Sequence, residues 1–164
     1  MLPPETLDHA AALLALLQRR GLTLATAESC TGGLIAAALT SVPGSSATVL
    51  AGFITYSNQA KATMLGVDPA VIAAEGAVSE AVARAMAEGA LARSGAGLAV
   101  SVTGIAGPGG ATPGKPVGLV HLAAARRGAT LAERHVFPGD RASVRAASVE
   151  AAFILLERAV EGAR

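Results

Sequence analysis

The chain of 164 residues has no tryptophan, one tyrosine and three phenylalanines. With so few aromatic faces, a platform on which single-stranded bases stack is not expected. Charge is equally sparse: 13 basic residues against 12 acidic ones leave a formal net charge of +1, which gives no electrostatic footprint for a polyanion or an anionic lipid surface. Cys30 is the one cysteine, so an internal disulfide is excluded and a reducing compartment fits. No apolar run reaches membrane-spanning length without a charge or a breaker. Residues 1–5 have neither the basic flank nor the uninterrupted apolar stretch of a signal peptide. The expected setting is cytoplasmic, with neither nucleic acid nor membrane as a direct partner.

What is plentiful is small and aliphatic. Hydrophobic residues make up 52% of the chain while aromatics make up 2%, so a core has to be built by close backbone approach rather than by large side chains. The length suits one domain over residues 1–164, and no stretch is long enough to be a linker.

Periodicity then predicts the elements. Leu7, Ala10, Leu13, Leu14 and Leu17 recur at helical spacing after Pro3-Pro4, and Arg19-Arg20-Gly21 supplies a basic last turn and a terminal glycine. A strand is expected over 22–27, a helix over 31–40 stopped by Pro43-Gly44, a strand over 49–56 and a helix over 57–65. Asp68-Pro69 opens a short helix, and Ser79-Glu80 a longer one ending at Gly95 with Arg84 and Glu88 as an i,i+4 pair. Residues 97–105 read as a central strand covered on both faces. Runs 117–125 and 129–137 flank Arg126-Arg127-Gly128 as a hairpin, so at least one strand is antiparallel, and Asp140 caps a last helix. These elements predict a three-layer α/β/α sandwich on a mixed, mainly parallel sheet of about five strands.

Ligands of such sheets collect where strand carboxyl ends empty into loops. Three polar segments qualify: 28–33, 56–61 and 103–110. In the first, Glu28-Ser29-Cys30-Thr31-Gly32-Gly33 joins a strand to a helix through hydroxyls and glycines, which suits a turn around an anion and points to a small phosphorylated ligand. Lys61 is the candidate base, because an ammonium among small apolar neighbours can lose its proton and activate a serine hydroxyl. Ser57, four residues earlier on one helical face, and Ser46, in the preceding loop, are both possible nucleophiles by spacing. Tyr56 lies at the adjoining strand end, where it can relay a proton or orient Lys61. Arg141 and Arg145 stand in the opening turns of a helix, where the dipole disfavours cations, an arrangement that makes sense if they share an anion. Cys30 reads as a buried small hydrophobe rather than a nucleophile. His9, His121 and His135 fall in separate elements without metal-ligand spacing, and no metal is expected.

Together, Thr26-Ala27-Glu28-Ser29-Cys30-Thr31-Gly32-Gly33, Pro43-Gly44-Ser45-Ser46, Tyr56-Ser57-Asn58-Gln59-Ala60-Lys61, Gly76-Ala77-Val78-Ser79, Ser101-Val102-Thr103-Gly104-Ile105-Ala106-Gly107-Pro108 and Lys115-Pro116-Val117-Gly118 resemble the CinA C-terminal domain family over nearly the whole chain. The resemblance implies a nicotinamide mononucleotide (NMN) amidohydrolase, which releases nicotinic acid mononucleotide and ammonia without metal or organic cofactor, and a homo-oligomer of at least two chains. It implies Ser46 as nucleophile and Lys61 as base, assisted by Tyr56. It further implies Ser29, Thr31, Gly32 and Gly33 in a substrate-binding loop, Thr103 and Gly104 near the reacting amide or ribose, and Arg145 with Arg141 on the phosphate. Many such proteins also carry an N-terminal domain resembling molybdopterin-binding proteins. The competing expectation is a nucleotide-phosphate binding or regulatory module of the same fold in which no hydroxyl is activated.

Overall fold

The computed structural model describes residues 3–162. Helix α1 (Pro4–Arg19) starts on a proline whose fixed φ suits a first helical turn, and it buries Ala10, Leu13, Leu14 and Leu17. Strand β1 (Leu24–Glu28) leads to α2 (Leu34–Thr40), and β2 (Val49–Ile54) leads to α3 (Asn58–Leu65). Next come α4 (Pro69–Glu75), α5 (Glu80–Ser94), β3 (Leu98–Gly104), the hairpin of β4 (Leu119–Arg126) and β5 (Ala129–Val136), and α6 (Arg141–Glu161). Side-chain caps fix four of the described helix starts: Ser57 accepts from the Ala60 N–H, Asp68 from Ala70, Ser79 from Val82 and Asp140 from Ser143.

Two local expectations change. Helix α2 begins at Leu34, three residues later than 31–40 allowed, because Gly32 and Gly33 adopt positive φ of 61° and 99° and prolong the turn. Arg84 pairs with Glu80 at 2.8 Å rather than with Glu88, whose carboxylate instead accepts from Thr130 Oγ1.

The five strands lie in the order β2-β1-β3-β4-β5. β1 pairs parallel with β2 and with β3, while β3–β4 and β4–β5 are antiparallel. Hence β4 alone opposes the other four, and the expected mixed sandwich forms. Alternation along the strands divides two packing layers. Leu24, Leu98, Val100, Val102, Val120 and Leu122 pack with the leucines of α1 and with Phe153 and Leu156 of α6. On the other face, Ala25, Ala27 and Ala99 meet Val82 and Met86 of α5, and Ala123 and Ala125 meet Ala83 and Ala87. Each fully buried leucine or valine contributes about 1.5–3 kcal/mol. The alanine face gains its stability from proximity instead, and α3 docks as closely on α5: a Cβ at Gly89 would overlap the Leu65 carbonyl.

Because β2, β1 and β3 are parallel neighbours, the residues after Ile54, Glu28 and Gly104 emerge at one edge. None of the described helices is long and apolar enough to cross a membrane.

Candidate active site

The first loop at that edge is organised by Glu28, the last residue of β1, whose side chain is buried. One carboxylate oxygen accepts from Thr31 Oγ1 at 2.6 Å, Gly33 N at 3.0 Å and Ile35 N at 3.1 Å, and the other from Ala36 N at 2.8 Å. The anion at this strand-to-helix turn is therefore the chain's own carboxylate, which corrects the expectation of a phosphate there. The Thr31 hydroxyl and the Gly33 N–H donate to Glu28, and Gly32 N donates to Ser29 O at 3.1 Å. The N–H groups of Gly32 and Gly33 and the hydroxyl of Thr31 thus shape the turn instead of facing a ligand.

Lys61 comes in from α3. It is 1% exposed, yet among the described residues it makes no ion pair. Its Nζ donates to Thr55 O at 2.8 Å and to Ser29 Oγ at 3.0 Å. Burial drives its pKa below the ordinary lysine value of 10.5, while the nearby Cys30 sulfur acts weakly the other way. Thr55 is fixed in turn, since its N–H donates to Glu28 O at 2.8 Å. A neutral amine held by the Thr55 carbonyl can direct its lone pair at the Ser29 hydroxyl, which is the geometry of a general base and a nucleophile.

This pairing corrects the choice of serine. Ser46 is exposed, in a 3₁₀ turn over Ser45–Ala47 that precedes β2, whereas Lys61 follows the far end of that strand. Six strand residues separate the two ends by roughly 20 Å, so within the chain Ser46 and Lys61 do not meet. Ser57 is engaged differently: it is exposed and caps α3, its Oγ accepting from Ala60 N at 3.0 Å, while the Lys61 amine bonds Ser29 and Thr55. Cys30 is buried, and desolvation pushes its thiol up to about 11, so it holds no thiolate at neutral pH.

Ser29, Cys30, Tyr56, Asn58, Lys61, Ala77, Val78, Thr103, Gly104, Ala106 and Arg141 line a cavity of about 220 Å³. All three polar segments expected at the sheet edge therefore supply its wall. Tyr56 is 59% exposed at the rim, and its hydroxyl accepts from Arg141 Nη2 at 2.9 Å. Arg141 Nη1 donates to Gly107 O at 3.0 Å. Arg141 and Ala106 also line an adjoining cleft of about 640 Å³ with Pro108, Val117, Gly139 and Arg145. Arg145 points its fork at the turn: Nε donates to Cys30 O at 3.2 Å and Nη2 to Thr31 O at 2.8 Å.

The wall formed by Ala77 and Val78 is not expected from the sequence, which reads this stretch as a connection between helices. It is tied down by Thr103 Oγ1 donating to Ala77 O at 2.8 Å and Lys115 Nζ donating to Val78 O at 2.8 Å. Thr103 and Lys115 both belong to motifs already prominent in the sequence, which was the available signal. The histidines lie elsewhere: His9 between Glu150 and Glu157, His135 beside Glu133, and His121 within β4. Among the described residues no three His, Cys, Asp or Glu side chains gather to hold a metal ion.

Fold and cavity define a three-layer α/β domain with a buried serine–lysine pair at the carboxyl edge of its parallel strands. A model of the CinA C-terminal domain matches residues 6–160, and the chain belongs to that family. It is 56% identical over 156 residues to a CinA-like protein of Mycolicibacterium gilvum, covering 94% of this chain and 36% of that protein. A putative competence-damage inducible protein of Symbiobacterium thermophilum is 52% identical, with 96% and 39% covered. The chain thus spans less than two fifths of the length of these curated relatives. Among solved structures, the competence/damage inducible protein CihA from Agrobacterium tumefaciens superposes with a TM-score of 0.93 at 48% identity, covering 96% of this chain and 97% of that one. The competence damage-inducible protein A (ComA) from Klebsiella pneumoniae gives the same TM-score at 39% identity, covering 97% and 99%.

Proposed function

We propose that this domain hydrolyses the carboxamide of NMN to nicotinic acid mononucleotide and ammonia, with Ser29 as nucleophile and Lys61 as general base. The observation that carries this reading is the buried Lys61 amine, without an ion pair among the described residues, at 3.0 Å from Ser29 Oγ. In the forward step Lys61 takes the Ser29 proton as Oγ attacks the amide carbon. Negative charge collects on the amide oxygen, where N–H donors of the wall such as that of Cys30 would stabilise it. The Lys61 ammonium then returns the proton to the departing nitrogen, which leaves as ammonia. Water, deprotonated by the same amine, releases the acid from the acyl-enzyme.

The two adjoining spaces suit the two ends of such a substrate. The smaller one takes a single ring and its amide beside Ser29, Thr103 and Gly104. The larger one has room for a sugar phosphate, and Arg141, which lines both, is the cation placed to meet the phosphate. Tyr56, bonded to Arg141, would position that guanidinium at the rim.

Ammonia release from NMN by the purified protein tests the reading. Lys61→Ala should reduce kcat by about 10²–10⁴-fold, Ser29→Ala should abolish turnover, and Ser46→Ala should leave it within a few fold, each with an unchanged circular dichroism spectrum. Binding of NMN with no ammonia from the wild type would favour a non-catalytic nucleotide-phosphate module. The homo-oligomer belongs to the same proposal and predicts a light-scattering mass of at least two chains.

A further inference from the structure

The backbone around Ser29 is held from several directions at once. Ser29 N donates to Val102 O at 3.0 Å, and Ser29 O accepts from Gly32 N at 3.1 Å. Glu28 binds the donors that follow, at Thr31, Gly33, Ile35 and Ala36. The carbonyls of Cys30 and Thr31 both accept from Arg145, which reaches them from α6, more than 110 residues further along the chain; Thr31 O also takes a long bond from Leu34 N at 3.4 Å. A carboxylate thus gathers the donors of the turn while a guanidinium gathers its acceptors. A planar fork suits two carbonyls of consecutive residues, and a lysine ammonium, as a point donor on a flexible stem, does not reproduce it. The contact is close on the glycine side too, since a Cβ at Gly32 would lie 3.6 Å from Arg145 Nη2.

We propose that Arg145 is a positioning residue for Ser29, fixing the turn that carries the nucleophile through the Cys30 and Thr31 carbonyls, and not a ligand of the substrate phosphate. This rests on Ser29 being the nucleophile. It departs from the expectation, drawn from the helix dipole and the resemblance, that Arg145 and Arg141 share an anion. The two guanidiniums divide the work: Arg141 faces the rim, and Arg145 faces inward to the loop.

The test uses Arg145→Lys, which keeps the charge and loses the fork, with NMN and nicotinamide riboside, the same amide without phosphate. A positioning role predicts that kcat falls about 10- to 100-fold, the scale of a small misplacement of a reacting atom. The factor should be the same for both substrates, with KM little changed. A loss confined to NMN and carried by KM would overturn the proposal and make Arg145 a phosphate holder. Amide hydrogen exchange at Gly32 and Gly33, followed by nuclear magnetic resonance in the folded variant, should quicken; unchanged exchange there would overturn the proposal as well. If the wild type releases no ammonia from either substrate, the amidohydrolase reading has failed, and labelling of Ser29 by a fluorophosphonate decides instead. A slower labelling rate in Arg145→Lys supports the positioning role, whereas an equal rate, or no labelling of the wild type, overturns it.

Discussion

Lys61 shows how one residue can be legible in type and not in partner. Its neighbours in sequence are small, which marks it as a lysine able to lose its proton. The serine it meets lies 32 positions away, in the turn after β1, and helical spacing offers Ser57 instead. Topology holds the answer that spacing lacks: Ser29 leaves the carboxyl end of β1 beside β2, while Ser46 enters β2 at the opposite end. The pH dependence of turnover follows from the same burial. Only the neutral amine accepts a proton, and desolvation lowers the pKa from 10.5, so kcat/KM should rise with pH and level off below the range of an ordinary lysine. A pH–rate profile that levels off only above 10.5 would contradict this. Lys61→Arg should be inactive at every pH, because a guanidinium does not deprotonate.

At the scale of elements, capping chemistry made the chain readable. Asp68, Ser79 and Asp140 mark the helices they start, and Arg126-Arg127-Gly128 marks the hairpin. The hydroxyls and glycines after β1 spell an anion-binding turn but not its anion, because a strand-terminal glutamate gives no sequence sign of folding back over the following helix. Glu28 now has a measurable role: Glu28→Ala strands the N–H groups of Gly33, Ile35 and Ala36 and the Thr31 hydroxyl. Chemical denaturation should show a loss of about 3–5 kcal/mol. Because Ser29 directly follows Glu28, the remaining folded protein should also turn over slowly.

For the whole molecule, the layered fold follows from composition, and its asymmetry does too: the α1/α6 side packs leucines and Phe153, and the α5 side packs alanines. What composition does not show is that the fold works against a buried amine. The folded chain holds Lys61 at a pKa below 10.5, so between that folded value and 10.5 the unfolded chain binds more protons. Stability from this group is complete above 10.5 and drains as pH falls through the folded pKa. Comparing Lys61→Met with the wild type by urea denaturation, the variant should gain on the wild type as pH is lowered from 10.5 towards neutrality. A pH-independent difference would mean that the amine is not perturbed by folding.

Cys30 sits next to the proposed nucleophile Ser29 and lines the cavity, while its sulfur is buried as a thiol. Peroxides and alkylating agents attack thiolates. The Ser29 centre should therefore keep working in oxidative stress that silences enzymes depending on an open sulfur nucleophile.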